Sequence, residues 1–499
     1  MAGQDEEEKA PVAPTSRNVY LMILLCAGWG LSDSIWTGTL IVAWIFLLSD
    51  GSNSAVGYIE AVSGIAALVT ALPVGYVADK IGRSPVIKMG GVLFMIAAGM
   101  TGYAVYFKPD GDYYWLGASM CLWGVGGGIF NGPAQALFAD SLTQGERSLW
   151  YSRLFTAYLA PSVFGPIIAI VLFHIYGNNW TFDELRPIIM IGLALEIPVA
   201  IGAFFFRDDL ALEENLLNKK KKGERKTGKG GGLEEGGGYT AIGTNDENSK
   251  DEGDSEDTPL APPTDKKTTR GWCGCTTKAV PYIMFASSLL CALGSGMTIK
   301  FFPLFFKDTI EMAPASVQLI YVLVPITMVL CTQILQKIGS VFGRVQTMLA
   351  VRAVGVSLLM GMSILIKSEL NEWFYCVPIY IIRTAIMNAT YPLEESIVMD
   401  FVPASTRARW KSLDSISTFG WCGSAALGGV LADKFSYAFT FQITALLQGM
   451  SGVVLIFLLP LVPVNEKLVE EGADDSNSPE LNINNSSTVT KVELEEPLL

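Results

Sequence analysis

The chain has a single histidine, His174, and few charges of either sign: 17% of its 499 residues are Asp, Glu, Lys or Arg. With one histidine no zinc site suggests itself, and no nucleophile, histidine and acid constellation is visible, so an enzyme is not expected. The phosphate-cradling pattern Gly-x4-Gly-Lys-[Ser/Thr] is also missing, which argues against nucleotide hydrolysis and leaves no cofactor to expect. Eight cysteines are scattered, and Cys26, Cys121 and Cys331 fall inside apolar runs, so no disulfide framework is implied. Residues 1–18 are polar and acidic and show no charged-then-short-apolar leader, so the first apolar run is expected to be retained.

What the chain does have is hydrophobic length. Half the residues are apolar, and runs of 20 or more recur, which is the composition of a membrane protein. Hydropathy predicts helices near 19–49, 54–79, 85–107, 112–141, 147–175 and 184–205, then 280–308, 314–339, 344–366, 373–402, 407–434 and 435–463. The expected fold is therefore all-α, with 12 transmembrane helices in a six-plus-six arrangement.

The net charge of −13 lies mostly outside these runs. Residues 464–499 carry Glu466, Glu470, Glu471, Asp474, Asp475, Glu480, Glu493, Glu495 and Glu496, the composition of a disordered acidic tail. Residues 206–279 join the two sets of six: a basic run (Lys219 to Lys222, Arg225, Lys226), a Gly-rich stretch and an acidic end, read as a flexible linker. Its basic run beside the membrane is a candidate for contact with anionic lipid. Cys273 and Cys275 near its end are either plain thiols or acylation sites.

Short loops on one side hold Lys80, Arg83, Lys88, Arg147, Lys337, Arg344, Arg407, Arg409 and Lys411; those on the other hold single bases among acids. By the positive-inside rule both termini and the linker are cytoplasmic. Asn179-Trp-Thr181 then falls outside as a weak glycosylation match.

The stretch Gly75-Tyr-Val-Ala-Asp79-Lys80-Ile-Gly82-Arg83-Ser84 sits between the second and third expected helices. It resembles the G-x-x-x-D-[KR]-x-G-R-[KR] signature of the major facilitator superfamily and departs from it only at Ser84, where a second base is usual. A shift of 260 places Asp140-x6-Arg147-x2-Trp150-x-Ser152 onto Asp400-x6-Arg407-x2-Trp410-x-Ser412, and a shift of 261 places Gly82-Arg83 onto Gly343-Arg344. Two junctions agreeing on one offset indicate parallel repeats. Ser340 stands where Asp79 should recur, so a weaker ion cluster is expected in the second half.

The resemblance implies two bundles rocking around a central site, with a cytoplasmic gate at Gly75, Asp79, Gly82, Arg83, Asp140, Arg147, Arg344, Asp400 and Arg407. A purely structural role in fixing the loops is the other reading. The resemblance also places the first, fourth, seventh and tenth helices around the cavity. Their polar residues are Asp33, Asn131, Gln135, Lys300, Arg383, Asn388, Glu394 and Glu395. Polar groups are costly in lipid and usually face a cavity or a partner. Lys300 and Arg383 stand at similar depth and either hold an anionic solute or pair with Asp33, Glu394 or another acid. Asp33, Glu60 and Glu394 are candidates for carrying a proton, with structural ion pairs as the alternative. Trp29, Trp36 and Trp123 could stack on a solute or pack between helices. Hallmarks of the drug-exporting and sugar-carrying branches are missing: Met120 stands where the exporters have an Arg before Gly124-Val-Gly126.

The function expected is secondary-active transport of a small polar or anionic organic solute, coupled to protons. An uncoupled facilitator and a non-transporting sensor or scaffold are the alternatives. Its partners would be the solute, protons and the lipid bilayer, with no nucleic acid and one copy of the chain.

Overall fold

The computed structural model describes residues 16–107, 113–142, 147–211, 276–402 and 414–462. The linker's 212–275, the tail beyond 462, and Arg407 lie outside the described residues, as do the side chains of Asp79 and Arg147.

Among the described residues there are sixteen α-helices and no strand. The first half holds α1 (Arg17–Trp36), α2 (Leu40–Leu48), α3 (Asn53–Ile81), α4 (Arg83–Phe107), α5 (Tyr113–Asp140), α6 (Arg147–Ser162), α7 (Phe164–Tyr176) and α8 (Phe182–Gly202). The second holds α9 (Val280–Ile299), α10 (Phe302–Asp308), α11 (Pro314–Phe342), α12 (Arg344–Lys367), α13 (Trp373–Asn388), α14 (Tyr391–Phe401), α15 (Asp414–Lys434) and α16 (Tyr437–Ile456). Joining α1 with α2, α6 with α7, α9 with α10 and α13 with α14 gives twelve rods, six in each half. Nine segments among the described residues are long and apolar enough to cross a bilayer. Large apolar side chains such as Val69, Leu330 and Val453 remain exposed on the outer surface, where lipid rather than water would cover them.

Within the described residues the helices fall where expected, but four rods are interrupted, and local chemistry explains where. Thr37-Gly38-Thr39 ends α1: the Thr37 hydroxyl and amide both bond the Asp33 carbonyl at 2.9 Å. Pro303 follows the break at Lys300 and Pro392 follows the break at Ala389, each at a first helical turn where its missing N–H costs nothing. Pro161 and Pro166 flank the break at Val163. Intact ends are capped: Ser52 accepts from the Ala55 amide at 3.3 Å and Ser436 from the Phe439 amide at 3.2 Å.

The repeat is visible in the backbone. Gly82 and Gly343 close α3 and α11 at φ +96° and +98°, a region open to glycine, so each helix stops and reverses at the same place in its half. Ser84, the residue that departs from the family signature, ties this turn to the end of the first half. Its hydroxyl donates to the Phe206 carbonyl at 2.6 Å, and its amide to Asp208 at 2.9 Å. Asn18 reaches the same knot, donating to the Arg207 carbonyl at 2.8 Å and to Ser141 at 3.2 Å. At the edge of the knot Asp209, hydrogen-bonded by Arg207, is held below the usual carboxylate range.

The ends bearing residues 16, 82, 210 and 280 form one face, here the terminal face; the opposite, distal face carries the turns near 50, 178, 310 and 435. Each half has its own core, around Phe94, Phe130 and Phe138 in the first and Phe302, Phe306, Tyr380 and Phe441 in the second. A third cluster crosses between them on the distal side, where Trp44 and Phe46 of α2 share a buried core with Phe301 and Leu304.

Candidate functional site

Where α1 and α9 stop, ionisable side chains gather. Asp33 of α1 lies in hydrogen-bond contact with Glu196 of α8. Glu196 is only 1% exposed and also accepts from the Ser32 hydroxyl at 2.9 Å and the Trp36 indole N–H at 3.2 Å. From the other half, Lys300 pairs its Nζ with Glu60 Oε1 at 3.2 Å and is close enough to act on Asp33. Cys422 Sγ is 3.8 Å from the same Glu60 oxygen. The site thus joins three acids of the first half to one base of the second.

A second polar nest lies inside the second half. Arg352 of α12, 4% exposed, donates to Ser451 at 2.6 Å and to Glu394 at 3.2 Å. Glu394 also accepts from Ser288 at 3.2 Å. Arg383, 7% exposed, donates from Nη2 to Gln448 Oε1 at 2.9 Å. Gln448 in turn donates to Ser295 of α9 at 3.0 Å.

Of the remaining residues expected at the path, Asn131 and Gln135 are exposed one turn apart on α5. Asn388 donates to the Thr384 carbonyl at 2.8 Å, and Glu395 is partly buried on α14. Lys300 and Arg383 do not form a free two-base pocket: Glu60 neutralises Lys300, leaving one guanidinium with a neutral partner. The aromatics pack between helices rather than lining open space. Trp36 lies 5.4 Å from Trp123, and Trp29 lies 4.7 Å from Phe130.

The sequence reading missed Glu196 and Arg352, and the neutral Gln448, because apart from Glu60 it took its path residues from the helices that the family resemblance nominated. An ionisable residue in the middle of any apolar run was the available signal.

At the terminal face Arg83 is ion-paired with Asp140, and Arg344 with Asp400 at 2.7 Å while also donating to the Ser396 hydroxyl at 2.9 Å. Both pairs lie within a single half, at positions related by the repeat offset. The second half therefore keeps its ion pair, with Ser340 donating to the Lys337 carbonyl of its own helix. Gly75 is exposed on α3, and an added Cβ there would meet nothing. A cleft of about 410 Å³ opens between α1 and α6, lined by Ala27, Arg153, Thr156, Ala157, Ala160 and Pro161.

The distal face is sealed across the halves. Asp433, at the end of α15, accepts from the Asn53 amide at 2.8 Å, the Ser54 amide at 2.7 Å, the Asn53 side chain at 3.0 Å and the Ser52 hydroxyl at 3.1 Å. One half thus supplies the N-terminal cap of a long helix in the other, where an anion also meets the positive end of the helix dipole. Trp180 donates to the Met312 carbonyl at 2.8 Å, and the Ala315 amide to Asn178 at 2.9 Å. The helices touch closely here, since a Cβ on Gly57 would run into the Ala425 carbonyl and one on Gly429 into the Asn53 carbonyl. Replacing Asp433 with Ala should weaken this closure by about 1–2 kcal/mol, the usual cost of a lost cap. Spin labels at Ser49 and Lys434 should then report a longer distance population than in the parent chain.

A family model described as Major Facilitator Superfamily matches residues 21–277 and 284–494. The chain belongs to this superfamily. It is a multi-pass membrane transporter by family, and not an enzyme. Several solved superfamily structures share its fold. A bacterial homologue of the iron transporter ferroportin, in an inward-facing state, matches at 14% identity over 88% of this chain and 98% of its own, with a TM-score of 0.61. A D-xylose–proton symporter matches at 12% identity over 90% of this chain and 98% of its own, TM-score 0.61. A nucleoside transporter matches at 11% identity over 89% of this chain and all of its own, TM-score 0.57. No curated protein matches the chain in sequence.

Proposed function

We propose that this superfamily member is a secondary-active transporter that moves a small polar solute by alternating access and couples the movement to protons. The observation that carries the reading is the one-sided seal: Asp433, Lys300–Glu60 and the α2 and α10 core join the halves distally. The described ion pairs of the terminal face, by contrast, stay within each half. Contacts made in only one state are what a two-state element requires. With the basic residues Lys80, Arg83, Lys337 and Arg344 at the terminal face, that face is the cytoplasmic one, and this conformation is open inward.

The proton site is the Asp33 and Glu196 pair. Two carboxyl groups in hydrogen-bond contact share a proton, because two bare carboxylates have only acceptors to offer. Removing that proton would leave two like charges side by side in a buried site, where they repel. Lys300 beside Asp33 links the proton to the seal between the halves.

The test is uptake of labelled sugars, amino acids and carboxylates into proteoliposomes under an imposed pH gradient. Accumulation above equilibrium that a protonophore collapses is the expected result. Downhill flux alone would make the protein an uncoupled facilitator. Flux of no solute in the panel would leave a sensor with a transporter fold.

A further inference from the structure

We propose that Arg383 anchors an oxyanion group of the transported solute, most simply a carboxylate. This rests on the transporter reading and adds a solute class to it.

The argument begins with charge accounting in the second half. Four acids of this half are committed: Glu394 to Arg352, Asp400 to Arg344, Asp308 to Lys307, and Asp433 to the start of α3. Lys300 looks away to Glu60 of the other half. Arg383 is left with one neutral acceptor, Gln448 Oε1, and its Nε, buried, has no hydrogen-bond partner. A guanidinium stays protonated in a protein, so this charge does not escape by losing a proton.

Burying a cation without an anion costs several kcal/mol, and a buried N–H without an acceptor adds to it. A residue carrying both costs in a membrane helix is explained if a ligand supplies the missing charge for part of the cycle. The edge that carries the unpartnered Nε–H has the right chemistry. The Nε–H lies beside Nη2, and such an edge takes the two oxygens of a carboxylate, or of a phosphate, side-on, sharing or replacing the Gln448 contact.

The nest is also linked by hydrogen bonds to a partly exposed residue of α9. Arg383 contacts Gln448, Gln448 contacts Ser295, and Ser295 is partly exposed on α9, five residues before Lys300. A solute held at the Asp33, Glu60 and Lys300 junction is therefore about 8 Å along α9 from the head of this relay. An anion arriving there would compete with Glu60 for Lys300 on its way to Arg383, which ties occupancy to the distal seal.

The test is binding, not transport, so that the two readings fail separately. The purified full chain in detergent is melted with lactate or succinate, and with their neutral amides lactamide and succinamide, at matched ionic strength. A ligand that binds the folded state raises its apparent stability. The expected result is that a carboxylate stabilises the parent chain while its amide does not. Arg383→Gln should weaken that effect at least about tenfold, and Arg383→Lys, which keeps the charge without the fork, should retain part of it. The proposal is overturned if neither carboxylate differs from its amide, or if the shift survives unchanged in Arg383→Gln. Selective carboxylate binding by a chain that moves no solute would leave this site standing and remove the transport reading alone.

Discussion

Glu196→Gln should bring the accumulation of solute under a pH gradient down to its equilibrium value while exchange of labelled for unlabelled solute continues. Glutamine keeps the contacts to Ser32 and Trp36, because its carbonyl oxygen accepts as the carboxyl does. What is lost is the titratable carboxyl beside Asp33, and with it the proton site proposed above. The variant therefore separates solute passage, which needs only the moving halves, from the step that the gradient drives. Proton uptake accompanying solute entry, followed with a pH dye inside the vesicles, should vanish with it. A Glu196→Gln protein that still concentrates solute would place the coupling elsewhere, with Glu394 the next acid to replace.

The second large effect concerns Lys300. Replacing it with Met should cost about 3 kcal/mol of stability, the lower end of the range for breaking a buried ion pair, because both side chains keep roughly a fifth of their exposure. Glu60 would then face the low-dielectric junction without its ammonium partner. Since the two residues belong to different halves, the loss should also favour separation of the distal face, visible as a longer spin-label distance. The double change Lys300→Met with Glu60→Leu should recover most of the stability, because an apolar pair of similar volume avoids the desolvation of both charges. If the parent chain and both variants melt together, the pair contributes nothing to the closed state.

The sequence revealed what is local or periodic. Long apolar runs located the rods, and Gly82-Arg83 with Gly343-Arg344 located matching turns, because a glycine at positive φ leaves its mark at a single position. Arg83, Asp140, Arg344 and Asp400 were legible as partners only because the repeat presents the arrangement twice. Pairings that join distant segments were not. Nothing near Glu60 announces Lys300, and nothing near Asn53 announces Asp433, since these meetings are made by helix packing. Glu196 was hidden differently: it sits in an apolar helix that the family resemblance places away from the path, yet its carboxyl crosses to α1. The helix breaks were written plainly in Thr37-Gly38-Thr39 and in the prolines, but hydropathy averages over them.

Those interruptions give the two ends of the molecule different mechanics. Beyond them α2 and α10 are short, largely apolar and share one buried core across the two halves. In the cycle proposed above, opening the distal face would have to part these stubs together with the Asp433 cap on α3, whereas opening the terminal face would break no described ion pair between the halves. A wedge-shaped blocker lodged between the stubs would arrest the cycle from outside without ever reaching the solute's own seat.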